Sequence, residues 1–263
     1  TFRLVYDSPF ASQQLGEIIQ LAGNALNTPN GRIIYISDDH VSSTLAIIDA
    51  SECRPTFGAD DFDIRCYLKN KQGWDSLRAC SKYKRPENLQ QSYPNDQRFA
   101  ITIDHIPWHQ LKNSDLIIFI HSPLSKTSHG IPQWLVEKNQ KRAVLASLSF
   151  RTQQSFLSLT PSPHPYYCVC IPQQVKKSLG VPVFYEFALK LVLNAISTGA
   201  HILKGKVYGN RMVDLSVSNL KLFDRSIGII QSMCDNKLSK QQAKQYLLRS
   251  IYDDQHVQNN TIG

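Results

Sequence analysis

The stretch GRIIYISDDHVSSTLAIIDA, residues 31–50, decides the fold class because it joins a buried strand to a helix. Residues 31–37 are apolar and β-branched after a turn-forming Pro-Asn-Gly, which predicts a buried strand entered from a turn. Residues 38–44 are polar and are predicted as a loop. Residues 45–50 are predicted to open a helix that a downstream proline and glycine end. The stretch therefore predicts one β-loop-α unit.

A second unit of the same plan occupies residues 115–139. It comprises a predicted strand at 115–120, a hydroxyl-rich loop at 121–128 and a helix near 131–139. Further strands are predicted at 64–69, 143–149 and 166–171, and a long helix at about 183–204. Because strands and helices alternate, we expect an α/β fold: a three-layer α-β-α sandwich with a parallel sheet.

The sequence changes character after the long helix. Residues 219–235 and 239–252 have the periodicity of two amphipathic helices, with Ser239 as the cap of the second. The predicted buried side of that second helix consists of Ala243, Leu247, Leu248 and Ile251. We therefore expect two domains, residues 1–205 as the sheet-containing domain and residues 206–263 as a small C-terminal helical lid.

Composition limits the function classes. Lysine plus arginine number 29 against 21 aspartate plus glutamate, a net charge of +8 that favours anionic ligands or acidic partners. The basic clusters are short and far apart, so we expect no nucleic-acid partner. Six cysteines without a Cys-x-x-Cys pair favour buried reduced thiols over a metal site, and hence a reducing compartment.

Targeting and cofactor signals are also missing from the sequence. No signal peptide opens the chain, and no apolar run approaches the ~20 residues of a membrane span. We expect a soluble protein of the cytoplasm or the nucleus with no membrane partner. Neither a Gly-x-Gly-x-x-Gly nor a Gly-Lys-Ser/Thr phosphate loop occurs, so we expect no cofactor. Because the chain begins without methionine in a strand-like TFRLVYD, we expect it to be a piece of a longer polypeptide.

Polar side chains are unusually frequent in GKVYGNRMVDLSVSNLKLFDRS, residues 205–226. If the stretch were one helix, several of them would share a narrow face. These are Asn210, Asp214, Ser218, Lys221 and Arg225. The apolar alternation at residues 213–217 is instead typical of a strand, and Ser218 is a natural helix cap. A break near residues 215–218 is therefore equally consistent with the pattern.

Two functions are open for the cations of this stretch. Lys221 and Arg225, one turn apart beside a helix start, would suit an anion clamp because two positive charges and free backbone amides add at one place. A salt-bridge network that joins them to Asp214 and Asp224 is the alternative. Spacing alone favours the network.

Two long blocks carry a resemblance to a known family. They are LNAISTGAHILKGKVYGNRMVDLSVSNLKLFDR, residues 193–225, and GRIIYI with LAIIDASECRPTFGAD, within residues 31–60. Both closely resemble the N-acetylmuramic acid 6-phosphate etherases and their eukaryotic relatives, the glucokinase regulatory proteins. Those proteins are built on the sugar isomerase (SIS) fold, and the likeness runs from about residue 31 to residue 225.

The resemblance implies a phosphosugar site. In the family, serine and threonine hydroxyls and backbone amides of two strand-end loops hold the phosphate. The matching candidates are Ser42, Ser43, Thr44, Ser122, Ser125, Thr127 and Ser128. The glutamate of the Ser-Glu-Cys motif matches Glu52, and the lysine of the lid matches Lys221, with Arg225 nearby. Because family sites are completed across paired SIS units, we expect a companion unit, in the same chain or in a homodimer.

Departures from the etherase pattern argue against catalysis. Where etherases resemble Gly-Ala-Gly-Thr-Ser-Gly-Arg, this chain has Ser-Asp-Asp-His-Val-Ser-Ser, whose aspartates would repel a phosphate that glycines let approach. Two further family signatures have no match within residues 172–180 and 73–88. An etherase in which Glu52 serves as the acid/base remains the alternative.

We therefore favour a pseudoenzyme. The chain most resembles the second SIS unit of a glucokinase regulatory protein, in which a phosphohexose such as fructose 6-phosphate controls the hold on a hexokinase-type partner, glucokinase among them. The altered loop is also consistent with a unit that holds no phosphate itself and contributes Glu52, Lys221 and Arg225 to a site whose hydroxyl loop belongs to the companion unit.

Overall fold

The structure is a computed structural model that describes residues 9–37, 39–68, 102–121, 130–152, 164–171 and 181–252. Three segments used above lie outside the described residues: the hydroxyl loop after residue 121, the segment 172–180 and the segment 73–88.

The described residues fall into two compact units. The first extends to Cys53 and resumes from Asp60 to Gly205. The second combines Arg54–Ala59, the end of a helix, with the chain from Lys206 onward. The sequence analysis did not assign this short helical segment to the lid.

The first unit contains most of the regular structure. Its elements are α1 (Pro9–Asn27), β1 (Ile33–Ser37), α2 (His40–Phe57), β2 (Ile64–Leu68), β3 (Leu116–Ile120), α3 (Gln133–Asn139), β4 (Val144–Thr152), β5 (Tyr166–Ile171) and α4 (Val181–Leu203). Short 3₁₀ turns at Ile103–His105 and Trp108–Gln110 precede β3.

The described strands form a five-stranded parallel sheet in the order β2-β1-β3-β4-β5. In strands β1, β2 and β3 every residue is buried, which is what a parallel sheet covered on both faces requires. The chain places β2 on one side of β1 and β3 on the other. The crevice at the carboxyl ends of β1 and β3 is therefore the topological switch point, where ligands of open α/β sheets bind.

Helices and turns cover the two faces of this sheet. On one face, Ile117 and Phe119 pack with Leu135 of α3 and with the partly buried Trp108. On the other face α1 packs closely against α4, and a Cβ atom at Gly199 would meet Ile19 Cγ2 at only 2.6 Å. The predicted α/β class, with a parallel sheet flanked by helices as in the SIS fold, is confirmed.

The predicted start of the helix after β1 is wrong. Helix α2 begins at His40, so residues 40–44 are helical rather than part of a loop. The Asp39 side chain explains the early start, because its Oδ1 accepts a hydrogen bond from Ser42 N at 2.9 Å and so caps the helix. At the other end, Gly58 adopts a φ of 62° and stops the helix, while Pro55 lies inside its last turn.

The second unit contains a short hairpin and two helices. Its elements are β6 (Val207–Tyr208), β7 (Arg211–Met212), α5 (Leu220–Met233) and α6 (Lys240–Tyr252). Asn210 turns the hairpin with a φ of 61°, so residues 210–225 are not one helix. The break predicted as the alternative is present, but Asn219 rather than Ser218 caps α5, accepting from Leu222 N at 2.9 Å.

The predicted cap of α6 is confirmed. Ser239 Oγ accepts from Gln242 N at 3.2 Å, and Gln242 Oε1 accepts from Ser239 N at 2.9 Å, which together form a capping box. Of the predicted buried side, Ala243 is buried whereas Ile251 is exposed.

Among the described helices, none combines the length and the apolar character that crossing a membrane demands.

Candidate functional site

The carboxyl edge of β1 is occupied by the chain's own side chains. Asp39 follows β1, and its Oδ2 accepts a short hydrogen bond from Ser42 Oγ while its Oδ1 caps α2. Tyr185 of α4 reaches the same place, where its hydroxyl contacts Ser42 Oγ and donates to the His121 carbonyl at 3.2 Å. Ser37 Oγ donates to the Ile120 carbonyl at 3.1 Å, which links the ends of β1 and β3.

This arrangement places a negative charge where the switch point would bind an anion. A helix N-terminus attracts anions through its free amides and its dipole. Here the Asp39 carboxylate already accepts from the amide and the hydroxyl of Ser42. A phosphate would have to displace Asp39 and overcome its repulsion. The amide and the hydroxyl of Ser42 thus already have hydrogen-bond partners within the chain.

The three hydroxyls predicted in this loop are engaged in hydrogen bonds within the chain. Ser42 is fully buried, and its hydroxyl donates to Asp39. Ser43 Oγ donates to the Asp39 carbonyl and Thr44 Oγ1 to the His40 carbonyl, each at 2.8 Å, as hydroxyls inside helices commonly do. All three would have to exchange these bonds to hold a phosphate. The other predicted hydroxyls, Ser122, Ser125, Thr127 and Ser128, lie outside the described residues.

Glu52 lies in a different environment, on the same helix α2 but away from the sheet edge. Its side chain is 57% exposed, and its Oε2 accepts from the Lys190 ammonium at 2.8 Å. Lys190, which extends from α4, also contacts Asp49 Oδ1 at 3.4 Å. Asp49 is 1% exposed, so one ammonium bridges a buried carboxylate and an exposed one.

Burial governs the ionisation of this group. Desolvation raises the pKa of Asp49 to about 6, although the Lys190 charge and Ser197 oppose the rise. For Lys190, burial lowers the pKa, but the hydrogen bond to Glu52 and the charges of Asp49 and Glu52 outweigh it, so the pKa is raised. Lys190 therefore stays charged and holds the Glu52 carboxylate in place.

The buried thiol and hydroxyl groups near Asp49 and Lys190 are not nucleophilic. Burial first, then the neighbouring Asp49 charge, raises the pKa of the Cys53 thiol to about 12. Burial likewise raises the pKa values of Tyr35 and Cys66. These groups keep their protons at neutral pH, and a thiolate is what cysteine chemistry requires.

Sequence reasoning missed Lys190 and Asp49. A signal for both was present, because Asp49 and Glu52 are three residues apart and so share one side of a helix. Lys190 is the only lysine or arginine within α4, a largely apolar helix. An isolated cation in such a helix is expected to pair with a carboxylate.

The predicted cations of the lid lie in the second unit. Lys221 and Arg225 are both exposed on the first two turns of α5, and Arg225 Nη1 donates to Met212 Sδ at 3.6 Å. The alternative salt-bridge network predicted for them is wrong, because its two carboxylates have other partners. Asp214 pairs with Lys206, and Asp224 lies 3.7 Å from Lys240.

Metal-ligand clusters are also not found in the described part of the chain, where no three His, Cys, Asp or Glu side chains come together as ligands.

Comparisons with known proteins address both parts of the chain. The family described as the C-terminal lid domain of glucokinase regulatory protein matches residues 209–262. The N-acetylmuramic acid 6-phosphate etherase of Rippkaea orientalis is 28% identical over 241 residues, which cover 91% of this chain and 71% of the etherase. That of Prochlorococcus marinus is 31% identical over 202 residues, covering 76% of this chain and 58% of the etherase.

A solved structure also overlaps the chain. It is the C-terminal domain of glucosamine-fructose-6-phosphate aminotransferase from Francisella tularensis, with a TM-score of 0.39 and 11% identity over 74% of this chain. The chain spans 41% of that structure.

The chain is thus similar to the N-acetylmuramic acid 6-phosphate etherases over most of its length and to the lid of glucokinase regulatory protein over residues 209–262, the resemblance that the sequence predicted. It combines a SIS domain of the phosphosugar-binding type with a C-terminal lid of glucokinase-regulatory-protein type.

Proposed function

We propose that this chain is a non-catalytic SIS unit of a regulator that resembles glucokinase regulatory protein. It senses a phosphohexose of the fructose 6-phosphate type and controls a hexokinase-type partner. A companion SIS unit, in the same polypeptide or in a second copy, supplies the hydroxyl loop that holds the phosphate. This chain supplies Glu52, Lys221 and Arg225.

The observation that carries the proposal is the Asp39 carboxylate at the start of α2. It accepts from Ser42 N at 2.9 Å and from the Ser42 hydroxyl, so the amide and the hydroxyl of Ser42 are already used and are not free to hold a phosphate. The exposed Glu52, by contrast, is held by Lys190 and presents a carboxylate to solvent. A carboxylate in that state suits the hydroxyl groups of a sugar, which donate hydrogen bonds, better than it suits a phosphate.

The lid supports the regulatory part of the proposal. The match at residues 209–262 is to the lid of glucokinase regulatory protein, and Lys221 and Arg225 lie one turn apart and exposed within it. Two cations at this spacing suit a phosphosugar, because each adds a charge-assisted hydrogen bond to the anion.

An etherase is the second candidate, and the curated relatives favour it because they carry that name at about 28% identity. In such an enzyme Glu52 would remove the acidic C2 proton of the sugar and assist the loss of lactate. The contact with Lys190 opposes this role, since Glu52 Oε2 already accepts from an ammonium at 2.8 Å. Asp49, whose pKa of about 6 suits a general acid or base, is buried behind the same lysine.

Calorimetry with fructose 6-phosphate tests the ligand. We expect the Lys221→Ala variant to bind at least about tenfold more weakly than the unmodified protein, because it loses a charge-assisted hydrogen bond. The matched control is Lys237→Ala, which removes an exposed lysine of the same unit whose carboxylate contact, to Asp235, is 3.7 Å long. Equal affinity in all three proteins would remove Lys221 from the site.

Incubation with N-acetylmuramic acid 6-phosphate separates the two candidates. We expect no release of lactate. Release that is lost in the Glu52→Gln variant would establish the etherase instead. The partner is tested by the activity of a hexokinase-type enzyme, which we expect the longer protein to change in a manner that depends on fructose 6-phosphate.

A further inference from the structure

A groove of about 510 Å³ lies at the opposite edge of the sheet from the site described above. It is formed by the 3₁₀ turn that precedes β3 and by helix α3 with the turn that precedes β4. The residues that line it are Trp108, His109, Trp134, Glu137, Lys138, Gln140 and Arg142. Since these segments enter β3 and β4, the groove lies at the amino edge, whereas Asp39 lies at the carboxyl edge.

The aromatic part of the groove is held in place by the core. Trp108 and Trp134 are both partly buried and pack against the core cluster on the α3 face of the sheet. Trp134 also makes an edge-to-face contact with Phe119 of β3, with ring centroids 6.5 Å apart. The two indoles are thus fixed from behind by strand residues while part of each remains accessible.

The cationic part is positioned by an unusual turn. Gln140 and Lys141, which follow α3, adopt φ values of 50° and 59°, a left-handed conformation that non-glycine residues rarely use. The turn leads to Arg142, whose Nη1 donates to the His109 carbonyl at 3.2 Å. A guanidinium has five N–H donors in a fixed plane, so this one bond orients the group and leaves donors for a ligand.

The charges of the lining favour an anion. The lining contains two cations, Lys138 and Arg142, and a single carboxylate, Glu137, to which Gln133 Nε2 donates at 3.2 Å. The combination of two indoles with two cations is suited to a ligand that has both a flat ring and a negative charge. The volume of the groove falls within the range typical of small-molecule sites, roughly 300–1,000 Å³.

We propose that this groove binds a nucleoside monophosphate. Its planar base contacts the indoles of Trp108 and Trp134, its phosphate accepts from Arg142 and Lys138, and the amino or hydroxyl groups of the nucleoside donate to Glu137. Stacking on an aromatic side chain is tolerant of base identity, so either a purine or a pyrimidine can be accommodated. The site requires neither Glu52 nor the lid, so it does not depend on the proposed phosphosugar function.

Titration of AMP into the full chain, followed by calorimetry, tests this proposal. The Arg142→Ala variant is expected to bind AMP at least about tenfold more weakly, because the oriented guanidinium is lost. Lys112→Ala is the matched control: Lys112 is an exposed lysine of the same unit and not part of the lining, so the affinity of this variant is expected to equal that of the unmodified protein. Lys221→Ala should also leave AMP binding unchanged.

Ligand controls separate ring recognition from charge alone. Trp108→Phe, which keeps an aromatic ring against the core, is expected to weaken AMP binding less than Arg142→Ala does. Inorganic phosphate should bind at least about tenfold more weakly than AMP, since it has no aromatic ring to stack. Three results would overturn the proposal: no binding of AMP or UMP at millimolar concentration, equal losses in Arg142→Ala and Lys112→Ala, or inorganic phosphate binding as tightly as AMP.

Discussion

Two carboxylates, the cap of helix α2 and a residue near its end, have completely different surroundings. Asp39, at its start, is enclosed by the amide and hydroxyl of Ser42, and the Tyr185 hydroxyl contacts that same serine. Glu52, more than three turns further on, is 57% exposed and has Lys190 as its partner. The first carboxylate closes a place where an anion would otherwise bind. The second remains open to solvent.

The difference shows how neighbouring parts of one element can direct one carboxylate to the chain's own backbone and another to solvent. Backbone amides at a helix start are satisfied equally well by a phosphate or by the chain's own aspartate. With Asp39 in place, the amide and the hydroxyl of Ser42 are hydrogen-bonded without a ligand. Glu52 has no comparable enclosure, and its orientation depends on one ammonium group shared with Asp49.

The largest expected effect concerns the buried member of that group, Asp49. Its pKa in the folded protein is about 6, above its ordinary value of 3.8, so the folded state binds the proton more tightly than the unfolded state. This contribution to stability is fully present below about pH 3.8 and is lost as the pH rises to about 6. A shift of this size corresponds to about 3 kcal/mol.

Urea unfolding from pH 4 to pH 7 measures this loss. Relative to the Asp49→Asn variant, which has no titrating group at this position, the unmodified protein should lose about 3 kcal/mol of unfolding free energy across the window. If the unfolding free energies of the two proteins change with pH in parallel, then Asp49 has an ordinary pKa. The proposed difference between the buried Asp49 and the exposed Glu52 would then be wrong.

The next effect concerns the shared ammonium. Lys190→Met keeps the aliphatic volume but leaves Asp49 buried without its cation, so we expect a loss of about 2 kcal/mol in unfolding free energy at pH 7.5. Lys204→Met is the matched control. Lys204 is exposed to a similar extent, 25% against 27%, but its partner Asp63 is more exposed than Asp49, so the loss should stay below about 1 kcal/mol.

A double variant sharpens this comparison. If Lys190 acts by balancing Asp49, then Asp49→Asn combined with Lys190→Met should restore part of the lost stability, because no buried charge remains. If the effects of the two substitutions on the unfolding free energy simply add, then Lys190 contributes through packing instead.

The smallest expected effect on stability concerns Asp39. Asp39→Ser retains an oxygen that can cap α2, so unfolding free energy should change by less than about 1 kcal/mol. The variant removes the negative charge from the helix start, and inorganic phosphate should therefore raise its melting temperature but not that of the unmodified protein. The control is Asp60→Ser, which removes an exposed carboxylate elsewhere in the first unit. A phosphate effect shared by the unmodified protein would show that the edge is open after all.

The strands were predictable because each is a short apolar run bounded by turn residues. Residues 33–37, 64–68 and 116–120 are buried along their whole length, which parallel strands with both faces covered require. The start of α2 was not predictable from the same evidence. Residues 38–44 are polar, and polarity alone does not distinguish a loop from a capped first turn.

The cap of α5 shows the same limit. Ser218 and Asn219 are adjacent and both suit an N-cap, yet the extended backbone at Asn219, with φ of −156° and ψ of 169°, makes Asn219 the cap. The choice depends on the preceding hairpin, in which Asn210 turns the chain with a positive φ. Local propensity therefore predicted a helix start but not the residue that makes it.

The sequence by itself determined the alternation of strands and helices, the parallel sheet and the candidate role of Glu52, because periodicity and recognisable blocks are local properties of the chain. Only the tertiary structure decided that Asp39 closes the edge of β1 and that Lys190 bridges Glu52 and Asp49. Lys190 is 138 residues from Glu52 in the sequence. Hydrogen bonds and desolvation act over a few ångströms in space, so pairs this distant are set by the packing of α4 against the sheet.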